Sequence, residues 1–141
     1  MVLTNNNLPD VKGHCVAQLQ LIMRVVPPKR FVSSPVSDLF LTYVQCFDII
    51  LQINPKFSPR IGPFPEPASS LFVLKWALQA DGTYLGDIIP LTQVHAYADL
   101  VLRFGTKADA QLTRQNSSAY NVEFWLNKYF SKELYFALTL S

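Results

Sequence analysis

The chain has 141 residues, half of them hydrophobic and only 16% charged, and a net charge of +2. That length suits one domain with a single core, and the composition excludes global disorder. Near-neutrality makes no electrostatic case for a nucleic-acid or membrane partner, and no apolar run approaches the ~20 residues needed to span a bilayer.

Residues 1–13 read as a polar lead-in, with Asn5-Asn6-Asn7 and Pro9-Asp10 as turn formers. No basic segment followed by an apolar run occurs there, so the expected compartment is intracellular. Cys15–Val26 then alternates, with Ala17, Leu19, Leu21, Met23 and Val25 on one parity, which predicts a half-buried strand ended by Pro27-Pro28. Lys29–Ser37 is a basic loop. In Asp38–Ile53, Leu39, Leu41, Tyr43, Phe47 and Ile49 share a parity, predicting a strand of about ten residues, with helix as the rival.

Asn54–Ser70 holds Pro55, Pro59, Pro63, Pro65 and Pro67, so it reads as a proline-rich surface loop, a spacer rather than an adaptor ligand. Leu71–Ala80 and Thr83–Ile89 flank Asp81-Gly82, the signature of a tight hairpin whose turn needs positive φ. Val94–Phe104 predicts a further strand closed by Gly105. Thr106–Gln115 is loop-like, and Asn116 or Ser117 suits a helix cap. Glu123–Phe130 is strand- or helix-like, and Ser131 caps a final helix over Lys132–Leu138. The expected fold is one mainly β (α+β) domain over residues 1–141, a small antiparallel barrel or sandwich with short C-terminal helices and a proline-rich loop at 54–70.

Chemistry-bearing motifs are sparse. Cys15 and Cys46 are too few for a disulfide framework and read as buried thiols. His14-Cys15 cannot act as a nucleophile pair if Cys15 begins a strand, because neighbours point to opposite faces. With His95 and Cys46 they form no metal-ligand spacing, and the glycines form no phosphate loop, so no metal and no cofactor is expected. Asp48, Asp87 and Glu123 are the carboxylates of an alternative reading, a small metal-dependent nuclease or hydrolase. It requires the three to converge without long helices between them.

Lys29, Arg30, Lys56, Arg60, Lys107, Arg114, Lys128 and Lys132 fall on loops or near the end, where Trp125, Tyr129 and Phe130 interleave with them. Basic groups beside stacking aromatics are the pattern of single-strand binders, though a solvated basic surface is the simpler account of a nearly neutral chain. Trp125, Lys128, Tyr129, Lys132 and Arg114 are therefore the candidate contact residues for nucleic acid or a protein partner. The tail also carries Phe124, Tyr135 and Phe136, more aromatic surface than one helix face buries, which points to self-association or a docking partner.

LTNNNLPDVKGHCVAQLQLIMR, LTYVQCFDI, FVLKWALQADGTYLGDIIPLTQV and above all NSSAYNVEFWLNKYFSKELYFAL resemble successive pieces of the C-terminal region of Plavaka-type transposon-encoded proteins of basidiomycete fungi. The resemblance implies a non-enzymatic accessory domain of transposon origin and a nuclear location. Such proteins carry their zinc-binding and nuclease-like domains upstream, and no catalytic residue of theirs corresponds to a position here.

Overall fold

A ten-residue strand, Phe40–Ile49, organises the structure. The computed structural model describes residues 2–4, 14–26, 39–54, 60–104, 111, 113–116 and 122–139. In chain order the strands are β1 (Val2–Thr4), β2 (Cys15–Arg24), β3 (Phe40–Ile49), β4 (Gln52–Asn54), β5 (Arg60–Gly62), β6 (Phe72–Trp76), β7 (Gly86–Pro90), β8 (Val94–Tyr97), β9 (Leu100–Leu102) and β10 (Glu123–Leu126), followed by a helix at Lys132–Thr139. The main sheet runs β8-β1-β2-β3-β6-β10-β9, with β7 also on β3, and is a curled antiparallel half-barrel. The strand-rich antiparallel fold expected from the alternation is the one observed.

The two end strands of this path, β8 and β9, are consecutive in sequence and parted by Ala98 and Asp99 alone. Val94–Phe104, expected as one strand, is thus two strands serving opposite ends of the sheet. The break lies at Ala98, which is buried in the main core. Sharing one segment between both ends curls the sheet and leaves less unprotected edge.

β6 and β7 were expected to face each other across Asp81-Gly82, but both pair with β3. Trp76 opposes Phe47 while Gly86 opposes Gln45, so the two strands lie end to end along the same neighbour. Cys46 is the joint: its N–H donates to Leu85 O at 2.9 Å and its carbonyl accepts from Ala77 N at 3.0 Å. Ala77 and Leu85 close the base of a short excursion, itself a hairpin with a bridge between Leu78 and Tyr84. At its tip Gly82 has φ +85°. Gln79 bonds to both Thr83 and Gly82 there, the arrangement of a three-residue loop with glycine in the left-handed position. The turn chemistry is as predicted, and only the reach of the hairpin is shorter.

The buried parity of β3 changes along its length. Thr42, Val44 and Cys46 are buried on one face, and Phe47 and Ile49 on the other. Phe47 and Ile49 join Val16, Phe72, Leu74, Trp76, Phe124, Leu126, Leu134 and Leu138 in the main core. There Phe47 stacks on Trp76 at 4.1 Å between centroids, and Phe124 meets Phe47 edge-on at 5.6 Å. Val44 and Cys46 form a second core on the opposite face with Cys15, Ala17, Ala77 and Ile89. Thr42, 0% exposed, donates its hydroxyl to Leu21 O at 2.8 Å, so its burial leaves no unpaired polar group.

β2 carries a bulge between Leu19 and Leu21, which resets its parity. That is why Ala17 and Leu19 pack inward while Leu21 is 54% exposed. The N-terminal lead-in contains a strand after all: Val2–Thr4 pairs with both β2 and β8. Within the proline-rich stretch, Arg60–Gly62 pairs with Gln52–Asn54 as a separate ribbon. The basic loop at 29–37, Gly105 and Ser117 lie outside the described residues.

Candidate partner-binding site

Ser131 sets the C-terminal helix. Its hydroxyl accepts the Leu134 N–H at 3.1 Å and its carbonyl accepts Tyr135 N–H at 3.0 Å, which is N-capping geometry. Glu133 in the first turn suits the positive end of the helix. Leu134 and Leu138, one turn apart, are buried in the main core. Fixing that face leaves Tyr135 and Phe136 outside, at 39% and 53% exposure.

The turn before the helix is fixed as well. Asn127 donates its backbone N–H to Asp99 O and its side-chain amide to Asp99 Oδ2, both at 2.9 Å, which ties the turn to the β8–β9 break. Asn127 Oδ1 then accepts Tyr129 N–H at 3.2 Å. Held this way, Tyr129 stacks on Tyr135 with centroids 5.9 Å apart and planes 29° apart, and Tyr135 meets Phe136 edge-on at 5.9 Å. Lys128 Nζ lies 5.2 Å from the Tyr129 ring. Lys132 lines a shallow groove of ≈550 Å³ with Tyr129, Ser131, Tyr135 and Phe136.

Of the five candidate contact residues, Lys128, Tyr129 and Lys132 are brought together. Trp125 belongs elsewhere. Its indole N–H donates to Glu66 Oε2 at 3.0 Å, and the Arg103 guanidinium lies 5.8 Å from its ring. Arg114 sits in a turn at 114–116, and no contact to the Tyr129 group is seen among the described residues. Lys29, Arg30, Lys56 and Lys107 lie outside the described residues.

The Trp125 contact exposes a network that no sequence spacing announced. Glu66 Oε1 accepts from Arg103 Nη2 at 2.7 Å, Arg103 Nη1 also pairs with Glu123, and Ser69 Oγ donates to Glu66 Oε2 at 2.8 Å. Burial pushes the Glu66 carboxyl up, but the hydrogen bonds from Ser69, Arg103 and Trp125 outweigh it and hold the group below its ordinary range. The only clue in sequence was Glu66 as the lone acid among prolines.

The alternative carboxylate trio does not assemble. Asp48 and Glu123 both oppose Lys75, from the strands on either side of β6. Adjacent strands are ~4.8 Å apart, so the backbones of these two acids sit roughly 10 Å apart with Lys75 between them, where a two-metal site needs metals about 4 Å apart. Asp87 opposes Val44, and its Oδ1 accepts the Ile88 N–H at 2.7 Å. Among the described residues no group of three histidine, cysteine or acidic side chains is placed to hold a metal. No helix among them is long and apolar enough to cross a membrane.

A family model described as a domain of unknown function (DUF6830) matches residues 8–64, less than half of the chain and reaching from before β2 to just past β5. No curated protein matches. No solved structure matches either.

Proposed function

We propose that this chain is a non-enzymatic binding domain that docks a protein partner through the Tyr129–Tyr135–Phe136 surface. One observation carries the reading: a capped helix with two leucines locked in the core holds a stacked aromatic group in solvent. Tyr129 is 66% and Phe136 53% exposed, where an ordinary short helix would turn charge outward. Lys128 and Lys132 at its rim favour a partner segment with apolar anchors flanked by acidic groups. A protein surface fits better than stacked bases, because Tyr135 and Lys128 already lie against the Tyr129 ring. The resemblance of the tail to transposon-encoded proteins adds the proposed setting: an accessory domain of transposon origin, acting in the nucleus.

The test is capture from a basidiomycete nuclear extract with and without nuclease, using the whole chain and a Tyr129→Ser/Phe136→Ser variant. The expected result is capture of a protein that survives nuclease and is lost in the variant. Capture abolished by nuclease would assign the surface to nucleic acid, and equal capture by the variant would remove this surface from the reading.

A further inference from the structure

β1 lies between β2 and β8, and its pairing with β8 slips. Val2 and Leu3 oppose Tyr97 and Ala96, but Thr4 opposes Val94, which leaves His95 as the extra residue. On the other side Thr4 opposes Cys15, so His14 stands just past the end of that pairing. A bulge re-aims the side chain it carries. Here the two histidines of the chain, remote in sequence, meet beside the end of β1, with ring centroids 6.1 Å apart and planes inclined by 68°.

Nδ1 of His14 is screened from solvent and has no hydrogen-bond partner among the described residues. A buried ring nitrogen in that state is a group that a bound ion or water would satisfy. His95 is exposed and opens onto a groove of ≈740 Å³, whose lining also carries the carboxylate of Glu133 and the amide of Gln18. Two imidazoles sharing one metal at about 2.0–2.1 Å per nitrogen hold their ring centres roughly 5–6 Å apart. The observed 6.1 Å lies just beyond that range, so binding one ion requires the exposed His95 ring to turn toward His14.

We propose that His14 and His95 form a binding site for a divalent transition metal of the zinc and copper class, with two protein nitrogens as ligands and the remaining positions open to water. Imidazole is the ligand such ions favour. The cysteines do not complete the set: Cys15 follows His14 on the strand and packs in the opposite-face core with Cys46. With only two protein ligands the affinity is that of an open site, modest and exchangeable.

The chain holds only two histidines, so imidazole proton resonances report on the site directly. Zn²⁺ is titrated into the whole chain while the imidazole signals are followed by NMR. Both sets are expected to move on one saturable curve, and His95→Ala should weaken the response of His14 at least tenfold, the least that loss of even a supporting partner costs a metal site. His95→Gln gives the same readout should the alanine variant not fold. Independent curves for the two rings, no shift in either, or an unchanged His14 response in the His95 variant would each overturn the proposal.

Discussion

The indole N–H of Trp125 donates to Glu66 Oε2 at 3.0 Å across 59 residues of sequence, and this bond fastens the proline-rich segment to β10. Ser70, with φ 57°, closes the same loop, and its N–H bonds to Glu66 O at 2.8 Å. A segment whose prolines cannot pair with a sheet is held instead by one carboxylate with three donors.

Because the folded Glu66 carboxyl lies below its ordinary value of 4.5, the folded state binds its proton more weakly than the unfolded chain does. Its stabilisation is fully present above that value and is lost as pH falls through the lower folded one. Glu66→Gln should therefore cost about 1–2 kcal/mol at pH 7, a figure that allows for the partial solvent access of Arg103, and less at about pH 3, where the unfolded carboxyl is protonated. Urea unfolding of both proteins at the two pH values checks this. An equal cost at both would show that the carboxylate charge contributes nothing.

Ser131→Ala removes the hydroxyl that accepts Leu134 N–H, and should cost about 1 kcal/mol, with Ser131→Asp restoring most of it. The readout is the thermal midpoint together with the helical signal in far-UV circular dichroism. Loss of that signal without a change in midpoint would mean that the helix is not coupled to the core through Leu134 and Leu138.

Local signals are legible in this sequence, and signals that depend on partners distant in the chain are not. Gly82 and Ser131 carry their conformational roles in their own chemistry, so the turn and the cap were legible. The parity of β3 was not, because apolar side chains on both faces of Val44–Ile49 follow from cores on both sides, which an alternation rule cannot represent. Ala98 resembles any small strand residue, and only the curl of the sheet, which sends β8 and β9 to its opposite ends, makes it a break. Val2–Thr4 is too short to show a period. Among site residues, Lys128, Tyr129 and Lys132 are near neighbours in sequence and stayed together. Trp125 was drawn away by Glu66, and the meeting of His14 with His95 needed a bulge that leaves no mark in sequence.

Cys15 and Cys46 are each 1% exposed in the second core. A hydrogen bond from the Cys15 thiol holds the Cys46 thiol below its usual range, against burial and the charges of Asp87 and Asp48. Both thiols are buried, so access is the controlling step in their reaction. Ellman's reagent should label neither cysteine in native buffer on the time scale that labels both in concentrated urea. Rapid native labelling at Cys46 would show that the Ala77–Leu85 excursion opens far below the cost of global unfolding.

The last prediction separates core from contact surface on a single helix. Leu134 is 0% exposed in the main core, whereas Phe136, two residues on, is 53% exposed and touches Tyr135. Leu134→Ala removes buried volume from a packed site and should cost about 2–5 kcal/mol. Phe136→Ser removes a side chain already half in water, and should change stability by no more than about 0.5 kcal/mol. If the aromatic surface exists to be covered, the wild-type chain alone should self-associate through it as concentration rises, and Phe136→Ser should shift light scattering toward monomer while its urea midpoint stays put. Leu134→Ala should do the reverse, lowering the midpoint without curing association. A wild-type chain that stays monomeric at high concentration would remove self-association through this surface, leaving capture of a different protein as its remaining test. A Phe136 variant that lost several kcal/mol would place that ring in the core and end the docking reading altogether.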